Sequence, residues 1–238
     1  MTSDRRDGNA ASPQSRSPGS RPVRPRDAAS IMVLDRSDAR IRVLMGKRHS
    51  AHAFMPDLYV FPGGRRDPSD HRLGFSGDLH PAVLQLLKSV EGRPLTDARA
   101  RALALAALRE LYEEAGVRVG KPNLEPGAGL PFLPDLANLR YMARAITPPG
   151  HSRRFDTRFF AVFADEADID ASLILESREL QDLQWIDVNN LPPLQIPEIT
   201  ATILADLRSS LESDPSLPRE RSVPFYFMRR GRFVRMLL

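Results

Sequence analysis

A chain of 238 residues and 26.6 kDa can build one domain of about 200 residues around its own core. It is 42% apolar and 27% charged and lacks any apolar run near the roughly 20 residues a bilayer span requires, which is the composition of a soluble globular protein and excludes a membrane span. The absence of cysteine removes disulfides, thiolate nucleophiles, zinc-thiolate sites and iron–sulfur clusters, so any metal must sit on oxygen or imidazole. The pI of about 9.8 invites a nucleic-acid reading, but residues 1–27 hold six Arg against three Asp and carry most of the net charge of +4. The remainder is nearly neutral, so nucleic acid is not an expected partner.

In chain order, residues 1–27 are rich in Arg, Pro and Ser with almost no large apolar side chain, and are expected to be disordered. No secretory or peroxisomal signal is evident, and a cytoplasmic location is the expectation. Ala28 to Leu34 and Ile41 to Met45 predict a hairpin-like pair of strands. Tyr59 to Phe61 predicts a short strand stopped by Pro62-Gly63-Gly64, followed by loop over 65–80. Pro81 to Val90 predicts a short helix, and Thr96 is an N-cap for a longer one that runs to Ala115 and ends at Gly116. Leu139 to Ile146, Phe159 to Phe163 and Trp185-Ile186 predict strands, with an Arg-rich connection over 150–158. Pro197 to Leu211 has apolar residues at helical spacing, and Val223 to Met228 with Phe233 to Leu237 predicts a terminal hairpin. One α/β domain over 28–238, with helices packed on both sides of a sheet, accommodates these elements.

The chemistry concentrates in Arg109-Glu110-Leu111-Tyr112-Glu113-Glu114-Ala115-Gly116-Val117. On a helix, Glu110, Glu113 and Glu114 share one face, where three like charges repel by a few tenths of a kcal/mol each. A purely structural helix has no reason to prefer that crowding, whereas a divalent cation reverses its sign. Oxygen ligands of this kind suit Mg²⁺ or Mn²⁺. Taken alone the run also fits a solvated helix face. Arg109 stands where it can orient a carboxylate, and Phe61-Pro62-Gly63-Gly64 lies upstream.

These residues resemble the second half of the Nudix box, G-x5-E-x7-R-E-U-x-E-E-x-G-U with U aliphatic, and match it at every specified position. Gly64 takes the box's first place. After five intervening residues stands Asp70 instead of Glu, with Asp67 as a rival, and the 38 residues between Asp70 and Arg109 replace the usual seven. Val43 to Arg48, Phe54-Met55-Pro56 and Arg153 to Phe160 are similar to the interrupted-box branch that includes peroxisomal-type coenzyme A diphosphatases; the similarity runs over about residues 28–235.

The resemblance implies an α/β/α sandwich with a mixed β-sheet. It also implies a Mg²⁺- or Mn²⁺-dependent diphosphatase acting on a nucleoside diphosphate linked to another moiety, with coenzyme A or acyl-coenzyme A foremost. ADP-ribose or a dinucleotide is the alternative substrate, and a non-catalytic nucleotide-binding domain the alternative role. Carried over by position, Glu110, Glu113, Glu114 and the Gly64 carbonyl would hold metal, and Arg109 would orient the carboxylates. Glu113, Glu114, Glu176 and Glu179 are candidates for the general base. Arg153, Arg154 and Arg158 are candidate phosphate contacts, with a structural cluster around Asp156 as the competing role. Phe54, Tyr59, Phe61 and Trp185 are candidates to stack on a base, against ordinary core packing. The five His show no zinc spacing, and Gly63-Gly64 is not a Walker loop. The insertion at 71–95 is a candidate lid or, alternatively, an excursion away from the site. A second copy of the chain is a candidate partner, as a family tendency.

Overall fold

The computed structural model describes residues 23–50, 56–89, 94–125 and 129–238. Phe54 and Met55, most of the expected tail and the end of the helix expected over 81–90 lie outside them.

The chain runs through β1 (Arg26–Asp35), β2 (Arg42–Arg48), β3 (Tyr59–Val60), β4 (Gly63–Arg65), α1 (Pro81–Lys88), α2 (Asp97–Ala115), β5 (Gly120–Pro122), β6 (Phe132–Pro134) and β7 (Arg140–Ile146). It continues through β8 (Phe155–Phe163), β9 (Leu180–Asp187), α3 (Glu198–Ser213), β10 (Pro224–Arg229) and β11 (Arg232–Leu237). Among the described residues nine strands form one mixed sheet in the order β11-β10-β7-β8-β1-β2-β3, with β4 on β1 and β9 on β2. The β1/β8 and β10/β7 pairs are parallel, and the others antiparallel. The strands at the centre read as nearly continuous apolar runs because both faces are covered. Ile31, Val33 and Phe160 meet α1 and α2 on one face; Met32, Leu34 and Phe163 meet α3 on the other. The expected α/β/α sandwich is the architecture observed.

Helix α2 is built as its sequence predicts. The Thr96 hydroxyl accepts from the Arg99 N–H at 3.3 Å, alanine and leucine fill a buried helix interior, and Gly116 at φ 69° makes the left-handed stop. Several boundaries differ from expectation. β1 begins at Arg26, inside the segment expected to be tail, because Arg26 and Asp27 pair with Phe155 and Asp156 of β8. That strand therefore starts four residues before Phe159. β9 starts at Leu180, well before Trp185, and the small β5/β6 pair was not expected.

The insertion is a core element. Leu79, Val83, Leu87 and Leu95 are buried in the cluster beneath α2, so the described part of 71–95 packs away from the cavity described below and the lid reading is corrected. Leu87→Ala is expected to cost about 2–5 kcal/mol of stability and leave the Michaelis constant for the substrate unchanged. Urea unfolding beside steady-state kinetics checks both.

Candidate functional site

Two carboxylates meet the glycine turn, Glu114 buried and Glu110 half-buried. Glu114, only 5% exposed, accepts a hydrogen bond from the Gly63 N–H at 2.8 Å. Glu110 lies over Gly64 so closely that a Cβ there would stand 2.5 Å from both its carboxylate oxygens. Glycine is required at 64 by this approach. Gly64→Ala is expected to displace the Glu110 carboxylate, a side-chain end that can move cheaply. Melting temperature should then change little while turnover falls at least about tenfold, a combination that paired calorimetry and kinetics would detect.

Burial pushes the Glu114 carboxyl up to about 8, opposed by the Gly63 hydrogen bond and reinforced by the charge of Glu110. Burial also raises Glu110, although Arg109 opposes the shift. Both carboxylates therefore sit where burial disfavours their charged forms.

Arg109 organises the rest. It donates to Asp70 at 2.8 Å and 3.3 Å, to Glu110 at 2.8 Å, to Glu113 at 2.8 Å and to the Arg65 carbonyl at 3.2 Å. Burial alone would lower its pKa, but the Asp70 hydrogen bond and the charges of Glu110, Asp70 and Glu113 outweigh that and hold it above its ordinary value. Asp70 is fully buried and also accepts from the Asp67 N–H at 2.7 Å. It is thus the anchor of Arg109. Asp67 accepts from the Ser69 N–H and hydroxyl, capping a short 3-10 turn over Pro68–Arg72. Neither Asp67 nor Asp70 lines the cavity.

A cavity of about 680 Å³ opens beside the carboxylates. Glu110, Glu114, Gly63, Gly64, Arg48 and Glu179 line one end. The α3 side of β8 and β7, through Phe155, Thr157, Phe159 and Ala145, forms the floor, and Pro197 to Thr202 at the start of α3 forms a wall. Glu113, whose side chain is 51% exposed, stays on Arg109 outside this lining. Among the described residues no three acidic or imidazole side chains already surround a common point. The donor chemistry of Glu110, Glu114 and the Gly64 carbonyl nonetheless fits a hard divalent cation, because two adjacent carboxylates and a carbonyl are the oxygen ligands such a cation takes.

Of the candidate phosphate contacts, Arg153 lines the cavity and the other two do not. Arg154 donates to the Thr147 and Val23 carbonyls. Arg158, 2% exposed, is paired with Asp27 and Asp156. The two-residue period of β8 explains the split, since Phe155, Thr157 and Phe159 face the cavity and Asp156 and Arg158 the opposite side.

Of the candidate stacking aromatics, only Phe61 lines the cavity among the described residues. Tyr59 donates to Asp182, Trp185 donates to the Ala171 carbonyl at 3.0 Å, and Phe54 lies outside the described residues. Glu179 shares the cavity with Glu110 and Glu114, whereas Glu176 is exposed and does not line it. Sequence reading did not single out Arg48 or His151 as site residues. Nor did it find Tyr226, Met228 and Phe233, which line the far end.

No family model matches the chain. A Caenorhabditis elegans protein named nudix hydrolase 7 is 28% identical over 206 residues, a match covering 74% of this chain and 59% of that protein. The chain thus spans about three fifths of that relative's length. The crystal structure of a NUDIX hydrolase from Alicyclobacillus acidocaldarius is 28% identical, with a TM-score of 0.54 over 81% of this chain and 93% of that one. The chain has the Nudix fold, and both similarities support the Nudix hydrolase family for it.

Proposed function

We propose that this protein hydrolyses the diphosphate bond of a nucleoside diphosphate linked to a second moiety, with Mg²⁺ or Mn²⁺ and with coenzyme A or acyl-coenzyme A as substrate. The observation that carries the reading is the pair of carboxylates, half-buried Glu110 and buried Glu114, placed against Gly63-Gly64 at one end of a cavity large enough for a nucleotide. Retention of all three helix glutamates favours an enzyme over an inert binding domain. The match of Val43 to Arg48 and of the Arg153 region to the interrupted-box branch favours coenzyme A over ADP-ribose or a dinucleotide.

Glu110 and Glu114, with the Gly64 carbonyl, would hold the cation, and Arg109 fixes their helix face through Asp70. When bound, the cation neutralises diphosphate charge and lowers the pKa of a bound water. Glu179 lies close enough for its charge to raise both Glu110 and Glu114. A Glu179 carboxylate oxygen is the acceptor for the proton of the attacking water. Arg153 at the cavity binds phosphoryl oxygens.

The test is mass-spectrometric product analysis with Mg²⁺ or Mn²⁺ on coenzyme A, acyl-coenzyme A, ADP-ribose, NADH and diadenosine polyphosphates, with Glu110→Gln as control. Adenosine 3′,5′-bisphosphate plus phosphopantetheine, absent with the variant, is the expected result. Cleavage of ADP-ribose or a dinucleotide alone would keep the hydrolase and discard coenzyme A. No turnover of any member would overturn the enzyme.

A further inference from the structure

Strand β9 is irregular just where it leads away from the site. Between Asp187 and Gln184 it pairs evenly with β2, with Trp185 opposite Leu44 and Gln184 opposite Met45. At its other end Gln181 stands opposite Lys47 and Leu180 opposite Arg48, so Asp182 and Leu183 together face Gly46 alone. Such a bulge slips the register by one residue. A slip of one turns every side chain before it to the other face of the sheet. The turn is visible at Gly46, where a Cβ would stand 2.5 Å from Leu180 and 2.7 Å from Leu183. A spacing of three puts side chains on opposite faces of an unbroken strand, yet these two leucines crowd the same face. That face is the α2 side, where Leu44 and Leu183 pack. Gln181 consequently goes to the α3 side with Lys47. Glu179 keeps the shifted register, since its carbonyl accepts from the His49 N–H at 3.1 Å, and it lines the cavity.

The slip is held by a tether from a neighbouring strand. Asp182 has φ 46°, in the left-handed region that a residue with a Cβ enters only at a cost and when its surroundings impose it. Its carboxylate accepts from the Tyr59 hydroxyl and from the Gln184 amide, the latter at 2.8 Å. Tyr59 of β3 and Gln181 of β9 flank Lys47 from opposite edges of β2, so the phenol reaches across β2 to the bulge. Its ring is buried against the α3-side core, and its N–H donates to the Gln195 carbonyl at 2.9 Å. The Asp182 hydrogen bond, with burial, pushes the phenol up to about 12, so it remains a donor at neutral pH. Neither Tyr59 nor Asp182 lines the cavity. Whatever they do for the reaction is done through a residue that does.

We infer that Asp182, tethered by Tyr59, is a positioning residue: the pair holds the bulge that keeps Glu179 at the cavity, where its carboxylate accepts the proton of the attacking water. The inference rests on the proposed role of Glu179 and adds the device that aims it. A register without the bulge would turn Glu179 to the opposite face.

The test joins hydrogen exchange to kinetics on the full chain. Asp182→Ala is expected to speed exchange at the His49 N–H at least about tenfold, the scale of one lost ladder contact. The N–H groups around Val43 and Ile186, beyond the bulge, should exchange as in wild type. Tyr59→Phe and Asp182→Ala should each lower kcat about tenfold or more and leave KM within about twofold, because neither residue touches substrate. Asp182→Asn tolerates the left-handed conformation and still accepts from Tyr59, so it should keep kcat within about threefold. In a Glu179→Gln background, Tyr59→Phe should lower kcat no further, a dependence that a general loss of stability would not produce. Unchanged exchange at His49 in Asp182→Ala, multiplying effects in the double variant, or a raised KM with kcat intact would each overturn the inference and leave Glu179 its role. Glu179→Gln as active as wild type would remove that role and the inference with it.

Discussion

Replacing Glu114 with Gln is expected to abolish hydrolysis while removing this group's share of the pH dependence of stability of the metal-free protein. The sign follows from the direction of the shift. The folded carboxyl titrates near 8 against an ordinary value of 4.5, so the native state keeps a proton that the unfolded chain has released. Stability from this group is complete below about pH 4.5 and is lost as pH rises through about 8, by a few kcal/mol in all. The Gln amide oxygen can still accept from the Gly63 N–H, and nothing remains to ionise. In EDTA, calorimetry should show the wild type melting lower at pH 8 than at pH 5, with a shallower profile for Glu114→Gln, in which Glu110 alone of the pair still titrates with a raised value. Mg²⁺ should raise the wild-type melting temperature more at pH 8 and act weakly on the variant, whose turnover should drop about 10³-fold or more. A wild-type profile already flat in EDTA would mean that Glu114 is ionised and compensated.

Arg109→Ala is expected to cost about 3–5 kcal/mol, because it strands a carboxylate that has no exposure to water at all, Asp70. Arg109→Lys should recover little, since one ammonium cannot reproduce contacts to Asp70, Glu110, Glu113 and the Arg65 carbonyl at once. The double variant Arg109→Met with Asp70→Leu removes both charges and should be more stable than Arg109→Ala alone. Urea unfolding of the three proteins decides the matter, and equal stability of Arg109→Ala and wild type would show that Asp70 is not held by this pair. Activity should be lost in all three, because Glu110 and Glu113 lose their shared partner.

Helix α2 was legible because each of its signals is local: Thr96 caps it, alanine and leucine propagate it, and Gly116 stops it; spacing put three glutamates on one face, whereas the cavity takes Glu110 and Glu114 and leaves Glu113 outside it. The strand β8 shows where local reading stops. Its first four residues, Phe155 to Arg158, look like loop because polar and charged side chains alternate with the apolar ones, and pairing with β1 is what makes them strand. Once the strand is extended to Phe155, its two-residue period separates cavity-facing Phe155 and Thr157 from Arg158, and of the three candidate arginines Arg153 lines the cavity. The role of Asp70 was hidden for another reason. Its partner lies 39 positions away, and no spacing rule connects them. The same holds for Phe233, an ordinary hairpin residue in sequence that becomes a cavity wall only when β10 docks beside β7.

The contact between Asp70 and Arg109 closes a loop of 38 residues where the uninterrupted box would close one of seven. Closure entropy grows only with the logarithm of length, so the longer loop costs about 1.5 kcal/mol more than the short one. Burial of Leu79, Val83, Leu87 and Leu95 contributes about 1.5–3 kcal/mol for each side chain before the ordering of the inserted backbone is charged against it. A division that looks severe along the sequence is therefore small in free energy. The clasp joining the two half-motifs can tolerate elements inserted between them, provided that the inserted segment brings apolar surface of its own.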